Sequence, residues 1–191
     1  MDKATPKEFV SYDPQTQNVN DFGDSYPVMD ENIKIADESK IQLFAKANTV
    51  KPDGSTFACV YDKFPILRIY SNTGVLKKEI RLANNQRFPF ALIKQEPSLD
   101  DVNEMMQDYR MIKATNRFIY ALYIGQKNKD ISPGLNDFSN IIHVWDWDGN
   151  PVMELRLDEK IFTFDVAPDD AFLICSSLEK LDGIYKYVLP L

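Results

Sequence analysis

The chain has 191 residues, 29 acidic against 22 basic side chains, a net charge of −7 and 44% hydrophobic residues, which suits one globular domain and excludes wholesale disorder. Without a basic cluster, the acidic balance argues against nucleic acid and anionic membrane surfaces, and no apolar run approaches the roughly 20 residues that span a bilayer. Two cysteines, Cys59 and Cys175, and one histidine are too few for a disulfide framework, a zinc site or most His-based catalysis, so no metal or cofactor is expected.

In chain order, a strand pair is predicted at about 8–13 and 17–22. Asp37 to Ala47 predicts a turn or two of helix, with Asp37 capping and Ile41, Phe44 and Ala45 facing inward. A four-stranded unit follows at about 46–82. Ser98 and Asp101 form a capping box, and Leu99, Val102, Met106 and Tyr109 fall near helical spacing, predicting a short helix at about 99–107. A second four-stranded unit is predicted at about 109–157, interrupted by a polar insertion from Gly125 to Ser139. Three strands close the chain at about 162–166, 170–176 and 183–188.

These units are repeats. Leu67–Leu82 aligns without a gap on Ile142–Leu157, matching Gly74 with Gly149, Glu79 with Glu154, Arg81 with Arg156 and Leu82 with Leu157. Ile184 to Tyr187 is a partial third copy. Upstream of each hairpin, Val50–Tyr61 aligns on Val166–Ser177, with Val, Pro, Asp and Cys coinciding at 50/166, 52/168, 53/169 and 59/175. Ile112–Tyr123 is the intermediate copy, with Thr115, Asn116 and Arg117 at its turn. Hairpin after hairpin, in units of four strands that cannot bury both faces alone, predicts an all-β propeller. The expected form is a single domain over 1–191, incomplete at about three to four blades, with one or two short helices in its linkers. Its pieces fall at about 8–22, 46–82, 109–157 and 162–190.

Phe22-Gly23-Asp24-Ser25-Tyr26-Pro27, followed by Lys51–Tyr61 and by the hairpin containing Ile69-Tyr70-Ser71-Asn72-Thr73-Gly74, resembles the TolB-like six-bladed β-propeller proteins of Bacteroidetes over roughly residues 8–190. That resemblance implies the fold, a cell-envelope setting as a lipoprotein if an upstream signal exists, and a ligand-binding role. It supplies no catalytic residues. Six blades of roughly 40–50 residues need about 240–300, so an N-terminally shortened member is expected, cytoplasmic as written. Its open blade edges would invite pairing with a second copy.

No phosphate loop, nucleophile elbow or metalloprotease helix occurs. His143 is expected at the surface or at a blade interface, and the two cysteines as small buried hydrophobes. Asp146 to Asn150 reads as a hairpin turn, because its repeat partner is Ser71 to Gly74. Among the aromatics, Trp147 leads as a surface candidate, and with Tyr123, Asp137 and Phe138 it makes up the expected binding surface. The leading functional expectation is a non-enzymatic binding or scaffold module that holds a protein, peptide or glycan at the funnel or the blade-top loops. One alternative is a hydrolase or lyase with an axial acidic or metal site, for which Asp62 and Asp165 are the nearest acidic residues. The other is a fragment with no independent function.

Overall fold

The structure is a computed structural model that describes residues 7–29, 35–82, 92–93, 96–97, 103–131, 138–177 and 183–190. Strands β1 (Lys7–Asp13) and β2 (Asn18–Ser25) form an antiparallel hairpin that pairs Phe9 with Phe22 and Tyr12 with Val19. Helix α1 (Asp37–Leu43) follows. Strands β3 (Lys46–Val50), β4 (Thr56–Tyr61), β5 (Ile66–Ser71) and β6 (Leu76–Arg81) make the first four-stranded sheet, in sequential order. A two-residue pair, β7 (Leu92–Ile93) and β8 (Glu96–Pro97), separates it from the second sheet of β9 (Met106–Ala114), β10 (Phe118–Lys127), β11 (Ser139–Asp146) and β12 (Pro151–Ile161). A three-stranded sheet ends the series: β13 (Thr163–Val166), β14 (Phe172–Ser177) and β15 (Gly183–Val188). The chain is thus an all-β, incomplete propeller of antiparallel sheets.

Sheet-on-sheet burial holds it together. Strand β4, Thr-Phe-Ala-Cys-Val-Tyr, is apolar on both sides because both sides are covered. Ala58, Val60, Leu67 and Ile69 face the second sheet, meeting Ile112, Ile119, Ala121 and Trp145. Its other face carries Cys59, Tyr61 and Tyr70, which pack with Phe9 of the hairpin and with Leu43 and Phe44 at the end of α1. The second sheet turns Tyr120, Leu122, Ile142 and Val144 toward Phe164, Leu173 and Cys175 of the third. Each fully buried Ile, Leu or Val adds roughly 1.5–3 kcal/mol. The repeat is therefore physical: Cys59, Ala121 and Cys175 occupy one repeat position, and each is buried against the unit before it.

Turns follow the same repeat. Gly74 and Gly149 both lie at φ +83°, donating their N–H groups to Ser71 O at 2.9 Å and Asp146 O at 3.1 Å. Asp146 Oδ1 also accepts the backbone N–H groups of Asp148 and Asn150 at 3.0 and 2.8 Å, so this acidic segment is a hairpin turn.

Three local expectations are corrected. Of the helix expected at 99–107, Asn103 and Glu104 form a 3-10 turn and Met106 already starts β9; its first four residues lie outside the described ones. The side-by-side pairing of β9 with β10 outweighs a weak helical spacing there. In α1 the N-cap is Ala36 rather than Asp37, whose carboxylate instead accepts from Lys40 Nζ at 2.8 Å. Ile41 is 67% exposed while Leu43 and Phe44 are buried, because α1 docks by its C-terminal end. The insertion begins later than expected: Gly125 to Lys127 extend β10, Asn128–Asp130 form a 3-10 turn, and Ser139 already belongs to β11.

Candidate functional site

Each polar group buried at a sheet seam is a candidate for chemistry. Glu8 of β1 has a fully buried carboxylate. It accepts the hydroxyls of Tyr61 and Tyr70, an Arg68 N–H at 3.0 Å, and lies 3.5 Å from Lys46 Nζ. Lys46 in turn sits over the rings of Phe9 and Tyr26 at 4.7 and 4.9 Å. Arg68 also donates Nε–H to Glu79 at 2.7 Å, and Glu79 takes Arg81 at the same distance. Burial, reinforced by Glu8, pushes both phenols far above their ordinary range. Burial likewise pushes the Cys59 thiol up to about 12, so it stays protonated and unreactive.

The second sheet repeats this layout with different residues. Register aligns Cys59 with Arg68 and Glu79 in the first sheet, and Ala121 with His143 and Glu154 in the second. His143 thus replaces Arg68, Glu154 replaces Glu79, and Arg156, 2.6 Å from Glu154, replaces Arg81. The Tyr109 hydroxyl meets His143 Nδ1 at 2.9 Å, His143 Nε2 lies 3.4 Å from Glu154, and the Tyr123 ring stacks on the imidazole at 4.4 Å. Burial lowers the His143 pKa against the opposing pull of Glu154, and burial pushes Tyr123 up to about 12. Both imidazole nitrogens are engaged, so the trio orients and braces rather than presenting a base to a substrate.

A third buried group joins the second and third sheets. Asp170, at φ +60°, accepts the Thr115 and Tyr120 hydroxyls at 2.8 and 2.7 Å. Among the described residues, no group of three or more His, Cys, Asp and Glu side chains is arranged to hold a metal.

Among the clefts that the described residues leave open, an apolar one of about 430 Å³ lies between the hairpin and the first sheet. Phe9, Phe22 and Phe57 form its aromatic wall, and Asn48 and Asn72 supply amides. Phe57 is stacked between Phe22 at 5.8 Å and Tyr70 at 4.9 Å, which fixes its ring. Val50, at the rim, is 62% exposed.

The expected surface residues are not gathered into one patch. Trp147, two residues after Trp145, shares its face; its indole N–H donates to Thr115 O at 3.0 Å and Lys51 Nζ stands 5.8 Å from its ring. Tyr123 is stacked on His143 between the first two sheets, and Phe138 is buried against Phe162 at 5.8 Å. Asp137 lies outside the described residues. Asp62 follows Tyr61 at the end of the first sheet where β3 begins, whereas Asp165 stands beside the 167–171 turn at the opposite end and pairs with Lys113 at 3.7 Å. These two carboxylates do not converge. Sequence reasoning missed the cleft: Phe9 and Phe22 each look like ordinary strand aromatics, and only their cross-strand pairing puts both over Phe57.

A family model described as TolB-like 6-blade propeller-like matches residues 8–169. Among solved structures, a member of the DUF4221 family from Bacteroides vulgatus superposes with a TM-score of 0.53 at 11% identity, over 87% of this chain and 48% of that one. Kuenenia stuttgartiensis hydrazine synthase gives 0.49 at 14% identity over 87% and 34%. The Myceliophteria thermophila Cps50 (Swd1) β-propeller domain gives 0.45 at 12% over 77% and 38%. This chain therefore spans between about a third and a half of the length of these structures, and the likeness to the Bacteroides protein is one of fold. No curated protein matches the sequence.

Proposed function

Because this chain belongs to the TolB-like 6-blade propeller-like family, we propose that it acts as a non-enzymatic binding or scaffold module, its four sheet pieces working as one domain. The ligand class is protein, peptide or glycan. A cell-envelope lipoprotein setting goes with this reading and rests on family resemblance.

The observation that carries the proposal is the contrast between the buried polar groups and the cleft. Glu8 and Asp170 each accept hydroxyls from a neighbouring sheet, and His143 is braced by Tyr109 and Glu154 within the second sheet. The cleft instead offers rigid aromatic faces beside two amides, the mix that recognises a sugar face or an apolar peptide side chain. Its volume of about 430 Å³ suits one such group.

An array of immobilised peptides and glycans, probed with the purified chain and with Val50→Arg, tests this. Val50 is exposed, so the substitution leaves the fold intact while placing a guanidinium at the rim. Array members captured by the wild-type chain should lose at least about tenfold in affinity, equivalent to 1.4 kcal/mol. Equal capture by both proteins would overturn the cleft as the site.

A further inference from the structure

We infer that the cleft between the hairpin and the first sheet takes the terminal pyranose ring of a neutral glycan. This rests on the cleft being the binding site and narrows its occupant to one of the three ligand classes.

The repeat carries the argument. Register places Asn48, Ile112 and Phe164 at one position, opposite Cys59, Ala121 and Cys175. Ile112 is buried against Ala58 and Val60 of the sheet before it, and Phe164 against Tyr120 and Leu122. Where a preceding strand covers this position, the chain therefore puts a large apolar side chain. At the first sheet it puts an exposed asparagine, whose amide would lose its partners under dry strand packing. The turn after β5 shows the same exchange. Trp147 packs into the seam between the first and second sheets, near Lys51, and its repeat equivalent, Asn72, lines the cleft. Two amides thus stand where the covered seam carries Ile112 and Trp147. The volume beside them suits a polar occupant rather than another strand of the fold.

The lining says which polar occupant. Among the described residues no Lys, Arg, His, Asp or Glu side chain lines the cleft, so a buried charge would find no counter-ion there. Neither carboxamide is hydrogen-bonded to another described residue. Each offers a donor and an acceptor, and a sugar hydroxyl, itself both donor and acceptor, can engage either. Phe22 is half-buried and ends the stack that runs through Phe57 to Tyr70 at 5.8 and 4.9 Å. That stack presents a fixed, flat apolar wall to the C–H face of a pyranose. An apolar peptide side chain would use the rings and leave both amides unpaired, and a charged sugar would leave its own anion unpaired.

Methyl glycosides of glucose, galactose, mannose and N-acetylglucosamine serve as probes, titrated into the isotope-labelled chain and followed by NMR of the asparagine side-chain amides. At least one should give saturable shifts of the Asn48 and Asn72 amide protons. Its affinity should fall at least about tenfold in Asn48→Ile and in Asn72→Leu. Both positions are exposed, so the melting temperature should hold in each variant. The uronate counterpart of the sugar that binds should bind at least about tenfold more weakly. N-acetyl-leucinamide is the apolar peptide probe. Its binding in place of the sugars, lost in Val50→Arg but kept in Asn48→Ile, would overturn the sugar and leave the cleft standing. Sugar binding untouched by both asparagine variants would overturn the assignment too. Silence from every probe would overturn it together with the cleft.

Discussion

At the scale of single residues, the buried carboxylate of Glu8 decides how the hairpin is attached. Two phenols, one guanidinium and one ammonium converge on it, so Glu8→Gln takes the carboxylate from Lys46 and leaves Arg68 with Glu79 alone. The expected loss is roughly 3–5 kcal/mol, read as a lower urea midpoint at constant slope; Tyr70→Phe should lose about 1–2 kcal/mol. Equal midpoints for Glu8→Gln and wild type would show that the network contributes nothing. His143 makes the pH prediction. Its burial lowers its pKa below the ordinary imidazole value of about 6.5, so the unfolded chain binds more protons in that range. The stabilisation is complete above the ordinary value and drains away as pH falls through it toward the folded-state value. Melting temperature should decline from about pH 7 to 5.5, and His143→Gln should flatten that segment. With one histidine in the chain, its ring proton signal can be followed alone, and a midpoint at or above 6.5 would refute the assignment.

Elements are where the two levels of description meet most closely. Both complete sheets and all three closing strands fall within a few residues of where alternation and turn chemistry put them, because a half-exposed or doubly covered strand writes its burial directly into every second residue. Gly74 and Gly149 were visible for the same reason, as equal places in a repeat. The Asp170 bridge and the Glu8 cluster were not: their partners lie 38 to 62 residues away, and no local pattern encodes which polar group a folded sheet will bring opposite another. Helix α1 was half legible, its existence from composition but not its docking end. The turn glycines also make a graded prediction. At Gly54, φ is +72° and a new Cβ meets nothing within 4 Å, so Gly54→Ala costs about 1 kcal/mol of backbone strain. At Gly74 the same atom lies 2.8 Å from the Phe22 ring and 2.9 Å from Gly23 N, and Gly74→Ala should cost more than about 2 kcal/mol, since part of the obstruction is backbone. Denaturation of the two variants side by side checks the order.

For the whole molecule, three stacked interfaces join four sheet pieces in a row, and each piece touches chiefly its neighbours, as in other repeat proteins. The terminal sheet leaves Ile184 and Val188 in water. Native protein should therefore bind a hydrophobic dye, and Ile184→Lys with Val188→Glu should reduce that emission while leaving the melting temperature within a few degrees, about the effect of 1 kcal/mol or less. A large drop in melting temperature would mean that these side chains are buried. Stacking of this kind also governs what an optical experiment sees. Both tryptophans of the chain lie within three residues of each other, Trp145 buried between the first two sheets and Trp147 tethered to Thr115. Intrinsic emission is consequently a local gauge of a single seam. The third sheet could peel away in the dark, and a dichroism trace that breaks before the fluorescence trace would be the signature of units that part company one at a time.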